Sequence, residues 1–220
     1  VDIDTGTYRH FSFDLWLTLI RSHPDFKQQR DLLLKDFFGL DNPPEAISRT
    51  VRHYDVLCNR ISERTGLHFD GSQIYCLVLE ALGKDITAVT KAQLDAFYAE
   101  TERLFLHFAP QLIHPQIHAL LRDICEQGKT ASILSNTAFI RGSTINKLLA
   151  HYELLPYFKF QLYSDETGLA KPNKRVFELL YDRTAALGVR DTKAILHIGD
   201  NPEADYQGAL QAGLSAFLIS

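Results

Sequence analysis

The sequence predicts an α/β protein: a doubly wound parallel sheet with helices on both faces, interrupted near its start by a block of helices. Three observations predict it. Tyr8 to Leu15 is aromatic and apolar with little alternation, the pattern of a central strand covered on both sides. From Pro24 to Phe108 nearly every residue falls at helical period. Beyond Pro110, short strand-like and longer helix-like stretches alternate, as in successive parallel strand–helix units. A chain of 220 residues exceeds the usual single-domain size, so a core with an inserted subdomain is expected. Residues 1–20 and 110–220 form the expected core, and residues 21–109 the expected helical cap.

Each element has its own signal. Residues before Tyr8 read as a polar tail. Phe26, Arg30, Leu33, Leu34 and Phe37 lie along one helical stripe closed by Gly39. Ile47, Val51, Tyr54, Cys58 and Ile61 form a second stripe ending at Gly66, and Ile74, Leu77, Val78 and Leu82 a third ending at Gly83. Leu94, Phe97, Thr101, Leu104 and Phe108 make the fourth. Amphipathic helices in succession bury their apolar faces against one another, which makes a small bundle. Pro115 to Gln127 is then a helix with Ile117, Leu120, Leu121 and Ile124 inward and Gly128 as its stop. A strand is expected over Lys129 to Leu134, a helix over Ile140 to Ala150, and a strand over Phe158 to Tyr163. A helix capped by Asn173 runs to Leu187 and stops at Gly188, followed by a strand over Ala194 to Ile198. Asn201 caps a last helix with Pro202 at its first position and Gly213 beyond its end, before a strand over Ala216 to Ile219. There is no internal repeat.

Composition narrows the function. The net charge is −4, and the Lys and Arg residues are scattered, which argues against a nucleic-acid partner. No apolar run approaches the roughly 20 residues of a membrane helix, and the first residues lack a signal-peptide layout. Cys58, Cys76 and Cys125 form no CxxC pair, and their odd number fits reduced thiols in a cytoplasmic protein. The chain has no methionine, which is unusual at this length.

In a parallel sheet, ligands bind beyond the carboxyl ends of the strands. Asp14, Ser135 and Asp200 fall at or just past three such ends, and Lys171 lies on a loop after a fourth. Singly, each has an ordinary explanation: Asp14 as a turn or cap residue, Ser135 and Asn136 as a strand-to-turn signal, Lys171 as a solvated lysine, and Asp200 and Asp205 as helix-terminal carboxylates. Together they have the residue types of a phosphoryl-transfer site. An aspartate attacking a phosphate dianion meets like-charge repulsion, so cations must stand close, and a lysine with Mg²⁺ supplies them. Mg²⁺ takes hard oxygen ligands, which Asp14, Asp200 and Asp205 offer. The nine histidines show no ligand spacing, so His197 reads as a strand residue.

The ordered stretches Phe11–Leu19, Ile133–Asn136, Leu169–Pro172 and His197–Asp205 resemble the motifs of the haloacid dehalogenase superfamily of hydrolases. The resemblance is to the subgroup whose helical cap is inserted between the first two motifs, and it spans essentially the whole chain. It implies a Rossmann-like core, with Asp14 as a nucleophile that forms a covalent intermediate. Thr18, Ser135 and Asn136 would hold the phosphoryl oxygens, and Lys171 would neutralise charge on nucleophile and phosphate. Mg²⁺ would be held by Asp14, Asp200, Asp205 and the backbone carbonyl of Trp16. The substrate implied is a small phosphorylated metabolite, with the cap acting as a lid. One position departs from the family's phosphatases, which usually carry a second aspartate two residues after the nucleophile. Trp16 stands there, and tryptophan cannot move a proton at neutral pH. Carbon–halogen hydrolases of the superfamily have an aromatic residue at that position, so a 2-haloacid dehalogenase is the alternative, and a weakly catalytic ligand- or partner-binding protein the third. His23 is the expected substitute proton donor. The sequence leaves the oligomeric state open.

Overall fold

The computed structural model describes residues 6–219. Residues 1–5 of the expected tail lie outside that range. The chain runs β1 (His10–Phe13), β2 (Ile20–Arg21), α1 (Phe26–Phe38), α2 (Pro44–Thr65), α3 (Gly71–Ala81), α4 (Lys91–His107), β3 (Gln111–Leu112) and α5 (Ile117–Glu126). It continues through β4 (Thr130–Ser135), α6 (Gly142–His151), β5 (Phe158–Tyr163), the short α7 (Ser164–Thr167) and α8 (Lys174–Ala186). β6 (Ile195–Gly199), a π-helical turn over Pro202–Gln207, α9 (Gly208–Gln211) and β7 (Ser215–Leu218) complete it.

Five strands form one parallel sheet in the order β5-β4-β1-β6-β7. Its pleat sorts the side chains of β1. Phe11 and Phe13 join a cluster with Leu121 and Ile124 of α5 and Ile145 and Leu148 of α6 on one face. The opposite face packs Leu134, Ile195 and Leu162 against Val176, Phe177 and Leu180 of α8 and Ala209 of α9. Each aromatic or branched side chain buried this way contributes about 2–3 kcal/mol, which is why the first strand sits in the middle. The chain leaves β1 toward β4 and β5, then returns to β6 and β7 on the other side. The reversal places a crevice at the carboxyl end of β1.

Helices α1 to α4 lie between β2 and β3, which pair antiparallel as a two-stranded ribbon. They enclose an apolar cluster of their own, including Leu34, Phe38, Val51, Ile74 and Phe97. Gly39 and Gly66 end α1 and α2 in the left-handed conformation, as their positions in the sequence imply. The stripe expected for α1 is turned by one residue. Phe38 is buried against Phe97 while Phe37 is partly exposed, and the inward face also carries Arg30 and Asp31. Ile61, expected on the inner face of α2, is exposed as well. A 3₁₀ turn at Ile86–Ala88 was not signalled by periodicity. The helical segment meets the sheet domain through backbone bonds: Ala170 N–H donates to Gly66 O at 3.0 Å, and His68 N–H to Gly168 O at 3.1 Å. Only glycine fits at 66, because a Cβ there would stand 2.7 Å from that of Asn173.

Candidate active site

Asp14 immediately follows β1, and its N–H continues the sheet ladder by donating to Ile198 O at 2.8 Å. Asp200 immediately follows β6, and Ser135 is the last residue of β4. The neighbouring strand ends therefore deliver all three to one edge. Lys171 arrives from the loop between α7 and α8 with its side chain 2% exposed, so its charge must be met within the protein. It is met completely. The ammonium donates to Asp14 Oδ1 at 2.6 Å, Asp205 Oδ1 at 2.5 Å and Leu134 O at 2.9 Å. Burial opposes the charge on Lys171, but the two carboxylates outweigh it and raise the pKa.

One ammonium between two buried carboxylates leaves an excess of negative charge. Burial pushes Asp14 up to about 6, against the pull of Lys171 and with repulsion from Asp205 adding to the rise. Burial also raises half-exposed Asp200, helped by Asp205. At Asp205 burial is outweighed by Lys171 and His197, which hold the carboxyl well below the usual range. Oxygen atoms of Asp14, Asp200 and Asp205 lie within 4.8 Å of one another, the one such acidic triad among the described residues. Hard oxygen donors at that spacing, short of positive charge, fit a small divalent cation.

The other expected site residues divide by what they touch. Thr18 is fully buried, and its hydroxyl points at Asp14 Oδ2 from 3.4 Å. Ser135 is buried at the strand end, with its hydroxyl 3.4 Å from Asn136 O. Neither lines the cavity over Asp14, whereas Asn136 does. The Asn136 amide is committed, however. Its Oδ1 accepts from Lys171 N–H at 2.8 Å and its Nδ2 donates to Lys171 O at 3.0 Å. The side chain thus grips the backbone of the lysine while standing in the cavity wall. The expectation for His23 is corrected. His23 packs on Phe108, accepts a hydrogen bond from Asp25 N–H, and does not line the cavity.

The cavity has a volume of about 410 Å³ and is bounded below by Asp14, Lys171, Asp200 and Asp205. Trp16 and Leu17 form part of its wall, with the Trp16 ring edge-on to Phe105 at 6.2 Å. Leu17 takes a positive φ of 58°, unusual for a branched-chain residue, and is 62% exposed. The helical segment supplies Phe26, Lys27 and Arg30 from α1 and Asp55, Asn59 and Glu63 from α2. Sequence reasoning missed these residues, although the last three recur at i, i+4 and i+8 and so share one face of α2. Arg30 is held by Asp31 through two bonds of 2.9 and 3.0 Å and lies over the Phe139 ring. Glu63 accepts from Asn201 Nδ2 at 2.9 Å, which ties the helical segment to the residue after Asp200.

Asp14 is thus buried beside Lys171 and within an acidic triad at the edge of a parallel sheet, with residues of α1 and α2 lining the cavity over it. The family model for haloacid dehalogenase-like hydrolases matches residues 8–213. The chain belongs to this family. Among curated relatives, the phosphoserine phosphatase of Thermus thermophilus is 31% identical over 127 residues, covering 57% of this chain and 45% of that protein. The pyrimidine 5'-nucleotidase YjjG of Escherichia coli is 37% identical over 62 residues, covering 28% and 26%. The chain thus spans less than half the length of either relative. Among solved structures, the HAD hydrolase YfnB of Bacillus subtilis, bound to magnesium, aligns with a TM-score of 0.71 at 21% identity over 97% of this chain and 89% of that one. A 2-haloacid dehalogenase of Pseudomonas syringae aligns at 0.66 and 23% identity over 96% and 86%. At such identities these two share the fold. No described helix is long and apolar enough to cross a membrane.

Proposed function

We propose that this hydrolase is a Mg²⁺-dependent phosphatase of small phosphorylated metabolites, working through a phosphoryl group carried on Asp14. The observation that carries the reading is the acidic triad. Displacing halide from carbon needs no metal, so it does not account for a third carboxylate, Asp200, within 4.8 Å of the Asp14 and Asp205 oxygens, where the one ammonium, of Lys171, already bridges the other two. Asp14, Asp200 and the Trp16 carbonyl would hold the ion, with Asp205 behind them. When bound, Mg²⁺ would supply Lewis-acid neutralisation of the phosphoryl oxygens.

The chain's own residues would divide the remaining work. Asp14 attacks phosphorus, the ester oxygen departs, and water then releases phosphate from the aspartyl group. Lys171 steadies the charge that moves between nucleophile and phosphoryl oxygens. Asn136 fixes the lysine's backbone, and Thr18 orients the second carboxylate oxygen of Asp14. Asn136, which lines the cavity, and Ser135 beside it remain the proposed phosphoryl contacts. The helices over the cavity act as the cap, and Asp55, Asn59, Glu63 and Lys27 face the leaving group.

Trp16 leaves the departing oxygen without its usual acid. Losing general acid–base catalysis costs about 10²–10⁴ in rate, so leaving groups that need no proton should react best. Aryl and acyl phosphates are expected to outpace alkyl phosphates in the presence of Mg²⁺, with no turnover in EDTA. Trp16→Asp is expected to raise alkyl phosphate hydrolysis by about 10²-fold, with circular dichroism checking that the lost contact with Phe105 does not unfold the protein. Metal-independent release of halide from 2-haloacids, with no phosphate release, would replace this reading by the dehalogenase one.

A further inference from the structure

On the face of the sheet covered by α8, a buried polar row runs beneath the site. Ser12 of β1 and His197 of β6 stand opposite each other in register, and both are buried. His197 Nδ1 lies 3.0 Å from Ser12 Oγ, and Nε2 lies 3.0 Å from Asp205 Oδ1. Phe177 of α8 stands edge-on against the ring at 5.5 Å, which limits its freedom to turn. A serine hydroxyl that donates into Nδ1 leaves the ring proton on Nε2, aimed at Asp205.

Asp205 is itself pinned. Its Oδ1 accepts from both His197 and Lys171, and its Oδ2 accepts from Asn201 N–H at 3.0 Å. The bare Cα of Gly199 lets the carboxylate approach, since a Cβ there would fall 2.2 Å from Asp205 Cγ. With donors on both oxygens the carboxylate cannot rotate, and the Lys171 ammonium bridges from it to Asp14. Without His197, Asn201 N–H would still hold Oδ2, but Oδ1 would keep only the lysine itself, with no fixed donor to set the direction of their bond.

We propose that His197 is a positioning residue. Through Asp205 it sets the direction in which Lys171 presents its ammonium to Asp14, and Ser12 fixes which ring nitrogen donates. The proposal rests on Asp14 and Lys171 being the reacting pair. It differs from a purely structural role for a buried histidine, which would affect folding yield but not the aim of the lysine.

The test compares full-length His197→Leu, His197→Gln and Ser12→Ala with the wild type. Glutamine can offer an N–H at a reach similar to Nε2, whereas leucine cannot. With an aryl phosphate and Mg²⁺, kcat per folded molecule is expected to fall about 10–100-fold in His197→Leu, with KM within about twofold. His197→Gln should recover most of that loss, and Ser12→Ala should show a smaller one. Crystal structures of the metal-free variants give a reading independent of turnover, with Lys171 Nζ expected to leave Asp14 in His197→Leu and to stay in His197→Gln. An unmoved Lys171 in His197→Leu, an unchanged kcat, or a glutamine variant as poor as the leucine one would overturn the proposal. If His197→Leu does not fold, Ser12→Ala with wild-type geometry and kcat overturns it, and a displaced Lys171 supports it. A wild type that hydrolyses no phosphate would sink the phosphatase reading alone, because the crystal structures still decide the positioning.

Discussion

Asp14→Asn is expected to abolish turnover while making the metal-free fold more stable at neutral pH. The substitution is nearly isosteric and removes the charge that burial opposes. A carboxyl raised to about 6 in the folded protein favours folding when protonated. That contribution is fully present below the unfolded value near pH 4 and is lost as the pH rises through 6. At pH 7.5 the ionised group costs the metal-free protein on the order of 3 kcal/mol, which asparagine avoids. Thermal melts in EDTA should therefore place Asp14→Asn several degrees above wild type at pH 7.5, with the gain vanishing toward pH 4. Turnover should fall by at least about 10⁴-fold, as for other nucleophile removals. A variant that keeps activity, or that is less stable than wild type at pH 7.5, would contradict the assignment.

Lys171→Met should have the opposite effect on stability and a similarly large one on rate. Methionine replaces the aliphatic stem up to Cε but not the ammonium. Asp14 and Asp205 would then face each other in a buried site with no cation, and Leu134 O would lose its donor. Breaking a buried ion pair in this way costs about 3–5 kcal/mol. Urea denaturation in EDTA should register that loss, and added Mg²⁺ should restore part of it by binding the folded state. Activity should fall by about 10²–10³-fold or more, the scale for removing one preorganised charge from a transition state. Unchanged stability and rate would mean that Lys171 is a spectator.

Much of this architecture is legible in the sequence because each signal is local. Gly39, Gly66 and Gly188 stop helices, Asn173 and Asn201 cap them, and the uninterrupted apolar run around Phe11 marks a strand with no solvent face. The inward face of α1 was less legible. Leu33, Leu34, Phe37 and Phe38 offer two adjacent stripes, and although both phenylalanines touch Phe97 of α4, only Leu34 and Phe38 are buried. In the site, the aspartates and Lys171 could be found because a parallel sheet gathers its strand ends. The bonds between them could not. That Asn136 grips Lys171 and that His197 reaches Asp205 depend on loop paths and on the register of β1 with β6, separated by some 180 residues. The polar face of Asp55, Asn59 and Glu63 needed the docking of α2 to show that it overlooks a cavity.

A phosphoryl group carried by Asp14 is the central step of the proposed reaction. Wild-type protein mixed with an aryl phosphate and Mg²⁺ should be quenched in acid within one turnover, digested, and its peptides weighed. The expected result is a peptide containing Asp14 heavier by one phosphoryl group, missing in EDTA and in Asp14→Asn. Phosphate release with no such peptide at any quench time, or with the label on another residue, would contradict the central claim.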